Sequence, residues 1–218
     1  MRESLDNVAH DLRTPMARLR GQAEAALQSG DAEACREALA DAVEESERLM
    51  TMLKTLMDIS EAETGTTRLE ISEIDLAALA RAVLELYQVV AEEKQITLSA
   101  DIPQALRFHA DRTRIQQCLA NLVDNAIKYS NPGGRVEITA AQTDRETVIR
   151  VRDTGIGIAA DEIPRIWERL YRSDKSRHEK GLGLGLSLVR AFVQAHKGTA
   201  EVESTPGKGS TFSIRIPL

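Results

Sequence analysis

The spacing of apolar residues changes about a third of the way along the chain, and this change limits what each part can fold into. In the first part, six positions follow a four-three-four-three-four spacing, a heptad-like seam: Leu39, Val43, Ser46, Met50, Leu53 and Met57. Residues 29–31 interrupt an earlier helical pattern and offer Asp31 as an N-cap. The first part is therefore predicted to be two long helices joined by a short loop.

A single pair of helices would leave much of this apolar surface in water. Leu49, Met52 and Leu56 widen the apolar face beside the seam. Pairing with a second copy of the chain would bury both, as in a four-helix bundle. The first part is predicted to be an all-α helical hairpin over residues 1–66 that forms a homodimer.

After residues 63–67, which end the helical pattern, strand-like and helix-like segments alternate. The predicted helices run from Asp75 to about Lys94, from Asp111 to about Tyr129 and from about Leu184 to His196. The predicted strands are residues 68–72, 96–100, 106–109, 135–140, 147–152, 199–203 and 211–216. Residues 67–218 are therefore predicted to form a second domain, an α+β sandwich with helices on one face of a mixed sheet.

Composition excludes two classes of partner. The net charge is −6 and aromatic residues make up only 3% of the 218 residues, which argues against a broad nucleic-acid surface. No run of about 18 apolar residues is present, so no membrane contact is expected from this stretch of chain. A signal-peptide pattern is also missing.

The segment His10-Asp11-Leu12-Arg13-Thr14-Pro15 is chemically unusual. Pro15 removes the hydrogen bond to the carbonyl of Asp11, which predicts a bend beside His10. His10 and Thr14 share a helix face, away from the apolar stripe. A neutral imidazole is a nucleophile, and Asp11 is the nearest acceptor for its other nitrogen, although adjacent residues on a helix do not naturally face each other. The alternative is an ordinary exposed histidine.

The helix predicted after Asp111 carries a polar face beside its apolar stripe. Asn121 and Asn125 lie four residues apart, and Lys128 and Tyr129 follow. Asparagine is a poor helix former, so a functional role is one reading and simple exposure is the other. In the functional reading, Asn125 supplies an oxygen to Mg²⁺ and Lys128 neutralises phosphate charge.

Two glycine-containing segments complete the pattern. Asp153, Gly155, Gly157 and Ile158 follow a predicted strand, where the glycines allow a ligand to approach closely. A second segment opens a helix, where backbone amides favour phosphate: Gly181, Gly183, Leu184, Gly185 and Leu186. Neither segment has the Walker A or Rossmann pattern. Residues 207–211 are read as a hairpin turn.

The basic stretch between these segments, residues 166–177, is either a solvated loop or a lid over a nucleotide. Arg169, Arg172 and Lys175 are its candidates for contact with the terminal phosphate.

Together these segments resemble the sensor histidine kinases of two-component systems, and the resemblance covers nearly the whole chain. The segment at His10 resembles their phosphoacceptor box, residues 121–130 their N box, and the glycine segments their two glycine boxes. The resemblance implies that His10 is phosphorylated, that Asp11 is the base, and that Thr14 positions water for dephosphorylating a partner. It also implies that Asp153 reads adenine. Trp167, Leu170 and Leu182 stand where the family usually has two phenylalanines and a serine or threonine.

The implied activity is that of an ATP- and Mg²⁺-dependent protein-histidine kinase. Its phosphoryl group would pass from His10 to an aspartate of a response regulator receiver domain, and the chain would also dephosphorylate that regulator. The implied location is cytoplasmic, with the full-length protein anchored in the inner membrane. Two rival hypotheses are a non-catalytic sensor module and a member of the wider superfamily of chaperone, topoisomerase and mismatch-repair ATPases, which does not explain the segment at His10.

Overall fold

The computed structural model describes residues 16–17, 19–28, 32–173 and 182–218. Contacts between residues divide the chain into two compact units, Met1–Met57 and Asp58–Leu218. The domain boundary expected at residue 66 stays a prediction. His10, Asp11, Thr14 and Gly181 lie outside the described residues.

The first unit is helical. Helix α1 comprises residues 19–28, and helix α2, Ala32–Thr64, continues into the second unit. The side chain of Gln22 donates to the carboxylate of Asp41 at 3.3 Å, and Cys35 contacts the carbonyl of Ala26, so the two helices lie side by side. The predicted helical hairpin is confirmed.

The seam residues of α2 point away from the chain's own packing. Five of them are between 42 and 67% exposed: Leu39, Val43, Met50, Leu53 and Met57. An apolar row of this kind, at heptad spacing on one helix, is unusual for a surface that stays in water.

The second unit is built on a five-stranded mixed sheet. Its strands are β2 Thr97–Asp101, β4 Arg135–Gln142, β5 Glu146–Asp153, β6 Thr199–Thr205 and β7 Gly209–Pro217. Their order in the sheet is β2-β4-β5-β7-β6, in which β2 and β4 are parallel and the other neighbours are antiparallel. A separate two-stranded sheet pairs β1, Ile71–Asp75, with β3, Arg107–Asp111.

Three helices form one layer against the larger sheet: α3 Leu76–Glu93, α4 Arg112–Lys128 and α5 Gly185–Ala195. The apolar stripe of α4 (Ile115, Leu119, Leu122, Ala126) is buried, as its spacing predicts. Alternation along β5 buries Thr147, Ile149, Val151 and Asp153 on the same side. The carboxylate of Asp153 therefore lies on the helix side, where β5 ends.

Helix α4, which carries the predicted polar face, begins at a buried hub. The carboxylate of Asp111 accepts from the backbone N–H of Arg114 at 3.1 Å and from that of Glu70 at 3.0 Å. The Asp111 N–H donates to Nε2 of the buried His196 at 3.0 Å. Nε2 must therefore be unprotonated, and Nδ1 carries the proton and donates to the carbonyl of Phe192 at 2.7 Å. These bonds join β1, β3, α4 and the end of α5.

The last turns of α2 belong to the second unit. Ile59 is fully buried, and Asp58 forms a salt bridge with Arg114 at 3.1 Å. Gly65 ends the helix in the left-handed conformation (φ 71°), and the N–H groups of Thr66 and Thr67 donate back to the carbonyl of Glu61. Glycine tolerates this conformation without steric cost, which explains why the helical pattern stops there.

The predicted helices agree with the structure to within one residue, and Asp75 and Asp111 cap α3 and α4 as expected. The first strand is the largest error, because it was predicted over residues 68–72 and lies at Ile71–Asp75. Its position is set by pairing with β3, where Ile71 faces Asp111. The N–H of Glu70 is already bonded to the Asp111 carboxylate, which keeps that residue out of the ladder.

Candidate nucleotide-binding site

A cavity of about 710 Å³, open to solvent, lies between α4, the end of β5, the start of α5 and β7. Its walls are mostly apolar with a few polar groups, which is typical of a small-molecule site. The lining residues are Asn125, Ala126, Tyr129, Asp153, Ile156, Gly157, Ile158, Glu162, Ile166, Tyr171, Arg172, Ser173, Leu186, Ser210 and Phe212.

Asp153 is the buried acidic group of this cavity. Its Oδ1 accepts from the backbone N–H of Gly155 at 2.8 Å and from that of Ser210 at 3.1 Å. Burial raises the pKa of Asp153 above the ordinary aspartate value, and the two backbone hydrogen bonds partly oppose this shift. With Oδ1 already used twice, Oδ2 is the oxygen available to accept from a ligand.

The loop after Asp153 is held by close backbone packing against the turn between β6 and β7. A Cβ on Gly157 would lie 2.1 Å from the carbonyl oxygen of Thr205, and one on Gly209 would lie 2.1 Å from that of Asp153. The N–H of Gly207 donates to the carbonyl of Ile156 at 2.7 Å. The predicted hairpin turn at residues 207–211 is thus also the support of the glycine loop.

The polar face of α4 divides into two parts. Asn125 and Tyr129 line the cavity. Asn121 instead donates to the carbonyl of Gln117 at 2.8 Å, and its Oδ1 lies where a Cβ on Gly185 would clash. Lys128 is paired with the carboxylate of Asp124. Asn121 and Lys128 therefore lie beside the cavity wall in this structure, and their nucleotide contacts stay predictions.

The basic segment contributes one of its arginines to the cavity. Arg172 lines it, together with Tyr171 and Ser173, whereas Arg169 is paired with Glu63. Trp167 packs edge-on against Phe212 with ring centroids 6.0 Å apart. Trp167 therefore anchors the segment to β7.

Leu170 and Gly183 both have a positive φ and contact each other through the backbone. Leu170 (φ 63°) donates its N–H to the carbonyl of Gly183 (φ 67°) at 2.9 Å. A Cβ on Gly183 would lie 2.8 Å from the Leu170 backbone, so glycine is required there. This backbone contact joins Leu170 to Gly183, at the start of the second glycine segment.

The second glycine segment reaches the cavity mainly through Leu186, in the first turn of α5. Leu184 is buried below it, and Gly185 allows the close approach of Asn121. Gly155 also lies behind the wall, since a Cβ there would lie 2.3 Å from the carbonyl oxygen of Tyr129. These glycines shape the wall without lining it.

The sequence analysis did not identify eight of the lining residues: Ala126, Ile156, Glu162, Ile166, Tyr171, Ser173, Ser210 and Phe212. Ser210 and Phe212 could have been found from alternation along β7, because both share the helix side of the sheet with Asp153. Ile166, Tyr171 and Ser173 belong to the segment predicted as a lid but were not named as site residues, and Glu162 lies in an irregular segment where no pattern signalled it.

These features define the chemistry that the cavity suits. A buried carboxylate oxygen can accept from an amino group, and Arg172 can neutralise phosphate charge. Among the described residues, no group of three or more His, Cys, Asp or Glu side chains could hold a metal ion. A cation here would thus need ligand phosphates and water besides the Asn125 side-chain oxygen, which is how Mg²⁺ is usually bound with nucleotides. The fold and cavity are those of a nucleotide-binding domain.

Comparison with known proteins identifies the class more narrowly. Residues 110–218 match the family "Histidine kinase-, DNA gyrase B-, and HSP90-like ATPase", and residues 1–65 match the "His Kinase A (phospho-acceptor) domain". The sensor-like histidine kinase SenX3 of Mycobacterium tuberculosis is 35% identical over 219 residues, covering 99% of this chain and 53% of SenX3. The chain thus spans about half the length of the curated relatives it matches.

Two solved structures are also similar. Histidine kinase ThkA in complex with the response regulator protein TrrA has a TM-score of 0.78 and 27% identity, covering 99% of this chain and 61% of that one. Full-length ShkA in complex with AMPPNP has a TM-score of 0.74 and 28% identity, covering 99% and 45%. The chain belongs to the sensor histidine kinases of two-component systems and contains their phosphoacceptor and ATPase domains. No helix among its described residues is long and apolar enough to cross a membrane.

Asp153 gives a test of the cavity's base selectivity. Asp153→Asn keeps an oxygen for the Gly155 and Ser210 amides but places a donor where Oδ2 accepts. We expect ATP affinity, measured by calorimetry, to fall at least about tenfold, because a buried donor would face the amino group of adenine. Asp101→Asn, an exposed aspartate on β2, should bind ATP like the parent, and equal affinities in both variants would contradict the assignment.

The raised pKa of Asp153 also sets the direction of its pH dependence. As the pH falls through that pKa, the carboxyl gains a proton, so the preference for ATP over purine riboside triphosphate, which lacks the amino group, should weaken in the parent but not in Asp153→Asn. A preference for ATP that strengthens towards acid pH would refute this prediction.

The same raised pKa affects stability. Ionisation of Asp153 costs the folded state more than the unfolded chain, so the contribution of this group to stability decreases as the pH rises from its unfolded to its folded pKa.

Proposed function

We propose that this chain is the catalytic portion of a sensor histidine kinase that transfers the γ-phosphoryl group of ATP to a ring nitrogen of His10. The observation that carries the proposal is the cavity whose lining includes Asp153, Asn125 and Arg172. The AMPPNP bound by the similar ShkA supports a nucleotide as the ligand.

In the proposed reaction, the unprotonated nitrogen of His10 attacks the γ-phosphorus, the bond to the β–γ bridging oxygen breaks, and ADP leaves. Asp11 accepts the proton from the other ring nitrogen. Asp153 holds the adenine by accepting from its amino group, and Arg172 stabilises charge on the phosphates. Catalysis then rests on positioning and charge neutralisation, as in other phosphoryl transfers.

We assign Asn125 as the protein ligand of Mg²⁺, whose chemistry is to neutralise the phosphate oxygens during transfer. Its place on the cavity wall supports this assignment. Arg172 is preferred over Arg169 as the arginine that contacts phosphate, because Arg172 lines the cavity and Arg169 does not. Lys128 and the remaining residues of the two glycine segments complete the proposed nucleotide site.

The phosphoryl group of His10 is proposed to pass to an aspartate of a response regulator receiver domain. The complex of the similar ThkA with the regulator TrrA supports this kind of partner. Thr14 is proposed to position water for the reverse task, the removal of phosphate from that regulator. A cytoplasmic location, with the full-length protein anchored in the inner membrane, fits the sensor kinases that the chain matches over about half of their length.

The proposed dimer forms through the first unit. The exposed seam of α2 supports it, since five apolar side chains at heptad spacing would be buried by the same helix of a second copy. The two α-hairpins then make a four-helix bundle, in which the same surface of each chain meets its partner.

The central experiment is labelling with γ-labelled ATP and Mg²⁺. The parent chain should acquire acid-labile label, and His10→Gln should acquire none. His109→Gln, which changes an exposed histidine on β3, is the matched control and should label normally. Label that persists in His10→Gln would exclude His10 as the acceptor, and an unlabelled parent would favour the non-catalytic rival.

The same assay tests the metal ligand. Asn125→Ala should lose labelling by at least about a hundredfold, because misplaced phosphate charge affects the transition state directly, while its size in gel filtration stays that of the parent. Asn131→Ala, in the turn after α4, is the control. Retained labelling in Asn125→Ala would refute the metal assignment.

The dimer can be tested with two apolar residues of nearly equal exposure, Met50 on the α2 seam at 65% and Leu86 on α3 at 67%. Met50→Glu places two unpaired carboxylates in the proposed interface and should raise the dimer dissociation constant at least about a hundredfold. Leu86→Glu should leave it unchanged. Sedimentation equilibrium measures both constants, and a parent that is monomeric at micromolar concentration would contradict the proposal.

A further inference from the structure

Ser204 lies on β6 outside the lining of the cavity, yet its hydroxyl connects two residues of the wall and the backbone of Gly209. Its Oγ accepts from the backbone N–H of Ile158 at 2.8 Å, lies 3.0 Å from the carbonyl oxygen of Gly209, and lies 2.9 Å from the Oγ of Ser210. Ile158 and Ser210 both line the cavity. Nothing in the catalytic proposal uses this serine.

The direction of each of these hydrogen bonds follows from what the groups can donate. A serine hydroxyl has one hydrogen and two acceptor positions. The Ile158 N–H fills one acceptor position, and the Gly209 carbonyl can only accept, so it takes the hydrogen of Ser204. The hydroxyl of Ser210 must then donate to the remaining acceptor position of Ser204. All three capacities of the Ser204 hydroxyl are used.

This order leaves Ser210 with its hydrogen committed to Ser204. Ser210 therefore offers lone pairs, and not a donor, to the cavity that it lines. Asp153 Oδ2 is also an acceptor, and the Ser210 N–H binds the Oδ1 of the same carboxylate. Both groups favour a ligand edge that presents hydrogens, such as the amino group of adenine or a water attached to it.

The same hydroxyl also orders the glycine loop. Gly157 has a positive φ, and glycine-rich backbone loses much conformational freedom when it is fixed. At Ile158, just after it, the backbone N–H is held by the Ser204 side chain. Without that hydroxyl, the half-buried N–H would lose its acceptor and this wall of the cavity would be less ordered.

We propose that Ser204 is a positioning residue of the nucleotide site, which fixes the glycine loop at Ile158 and orients the Ser210 hydroxyl as an acceptor towards the base. It acts through these two residues without touching the ligand. The inference rests on the proposed function only in that the cavity binds a nucleotide.

The test measures nucleotide binding by calorimetry in a His10→Gln background, so that binding is read without phosphoryl transfer. ATP is compared with purine riboside triphosphate, which lacks the amino group. Ser204→Thr keeps the hydroxyl. Ser204→Val has the shape of threonine but carries a methyl group in place of the hydroxyl, and both side chains suit a strand. Ser204→Ala is the smaller variant, and Ser213→Ala, on β7 outside this network, is the control.

Ser204→Ala and Ser204→Val should bind ATP about fivefold more weakly, as expected for one hydrogen-bonded group, and should lose part of the preference for ATP. Ser204→Thr should restore both. In a double-mutant cycle, Ser204→Ala should have less effect when Ser210 is already alanine.

Two results would overturn the inference. One is an ATP preference within twofold of the parent in both Ser204→Ala and Ser204→Val, even if their melting temperatures fall, because the serine would then be structural only. The other is equal weakening in Ser204→Thr and Ser204→Val, which would exclude the hydroxyl as the cause. A parent that binds no nucleotide would instead refute the proposed function, and the inference with it.

Discussion

The buried pair of Asp111 and His196 fixes the helix on which the nucleotide site depends. The Asp111 carboxylate accepts from the first turn of α4 and from the N–H of Glu70, just before β1. The His196 imidazole accepts from the Asp111 N–H and so connects Asp111 to the end of α5. Because a helix advances about 1.5 Å per residue in a fixed direction, setting its first turn also sets the position of Asn125 and Tyr129 at its far end. The network requires a neutral imidazole with its proton on Nδ1. Both ring nitrogens of His196 then have a hydrogen-bond partner, so the buried ring leaves no polar atom unpaired.

The part of the site opposite α4 is held together by backbone contacts more than by side-chain contacts. The glycine loop, the β6–β7 turn and the end of β5 approach each other so closely that a methyl group would not fit at Gly157 or Gly209. Such packing leaves few side chains to define the ligand. Asp153 and Ser210 are assigned to the base, and Asn125 and Arg172 are assigned to the phosphates. A small number of well-held polar groups on an apolar wall is enough for orientation.

The parts that could be predicted from sequence are those governed by local rules. The sequence located α3, α4 and α5 to within one residue. Apolar periodicity marked the helices and aspartate caps marked the starts of α3 and α4, and both signals are read within a few positions of the helix. The start of β1 was missed because a distant strand and a hydrogen bond to Asp111 determine it. The roles of Asn121 and Lys128 could not be separated from that of Asn125, because the sequence does not show that Asn121 bonds to the Gln117 carbonyl or that Lys128 pairs with Asp124.

The contact between Leu170 and Gly183 has a consequence for how proteins with this architecture can diversify. A loop whose two ends are already joined can change its length at small entropic cost, since the closure penalty grows only slowly with the number of residues. Insertions between Ser173 and Gly181 would therefore leave the contact and the cavity residues before it in place. The chain between Ser173 and Gly181 can then vary in sequence and length to suit different partners or rates, while the residues assigned to the nucleotide stay unchanged.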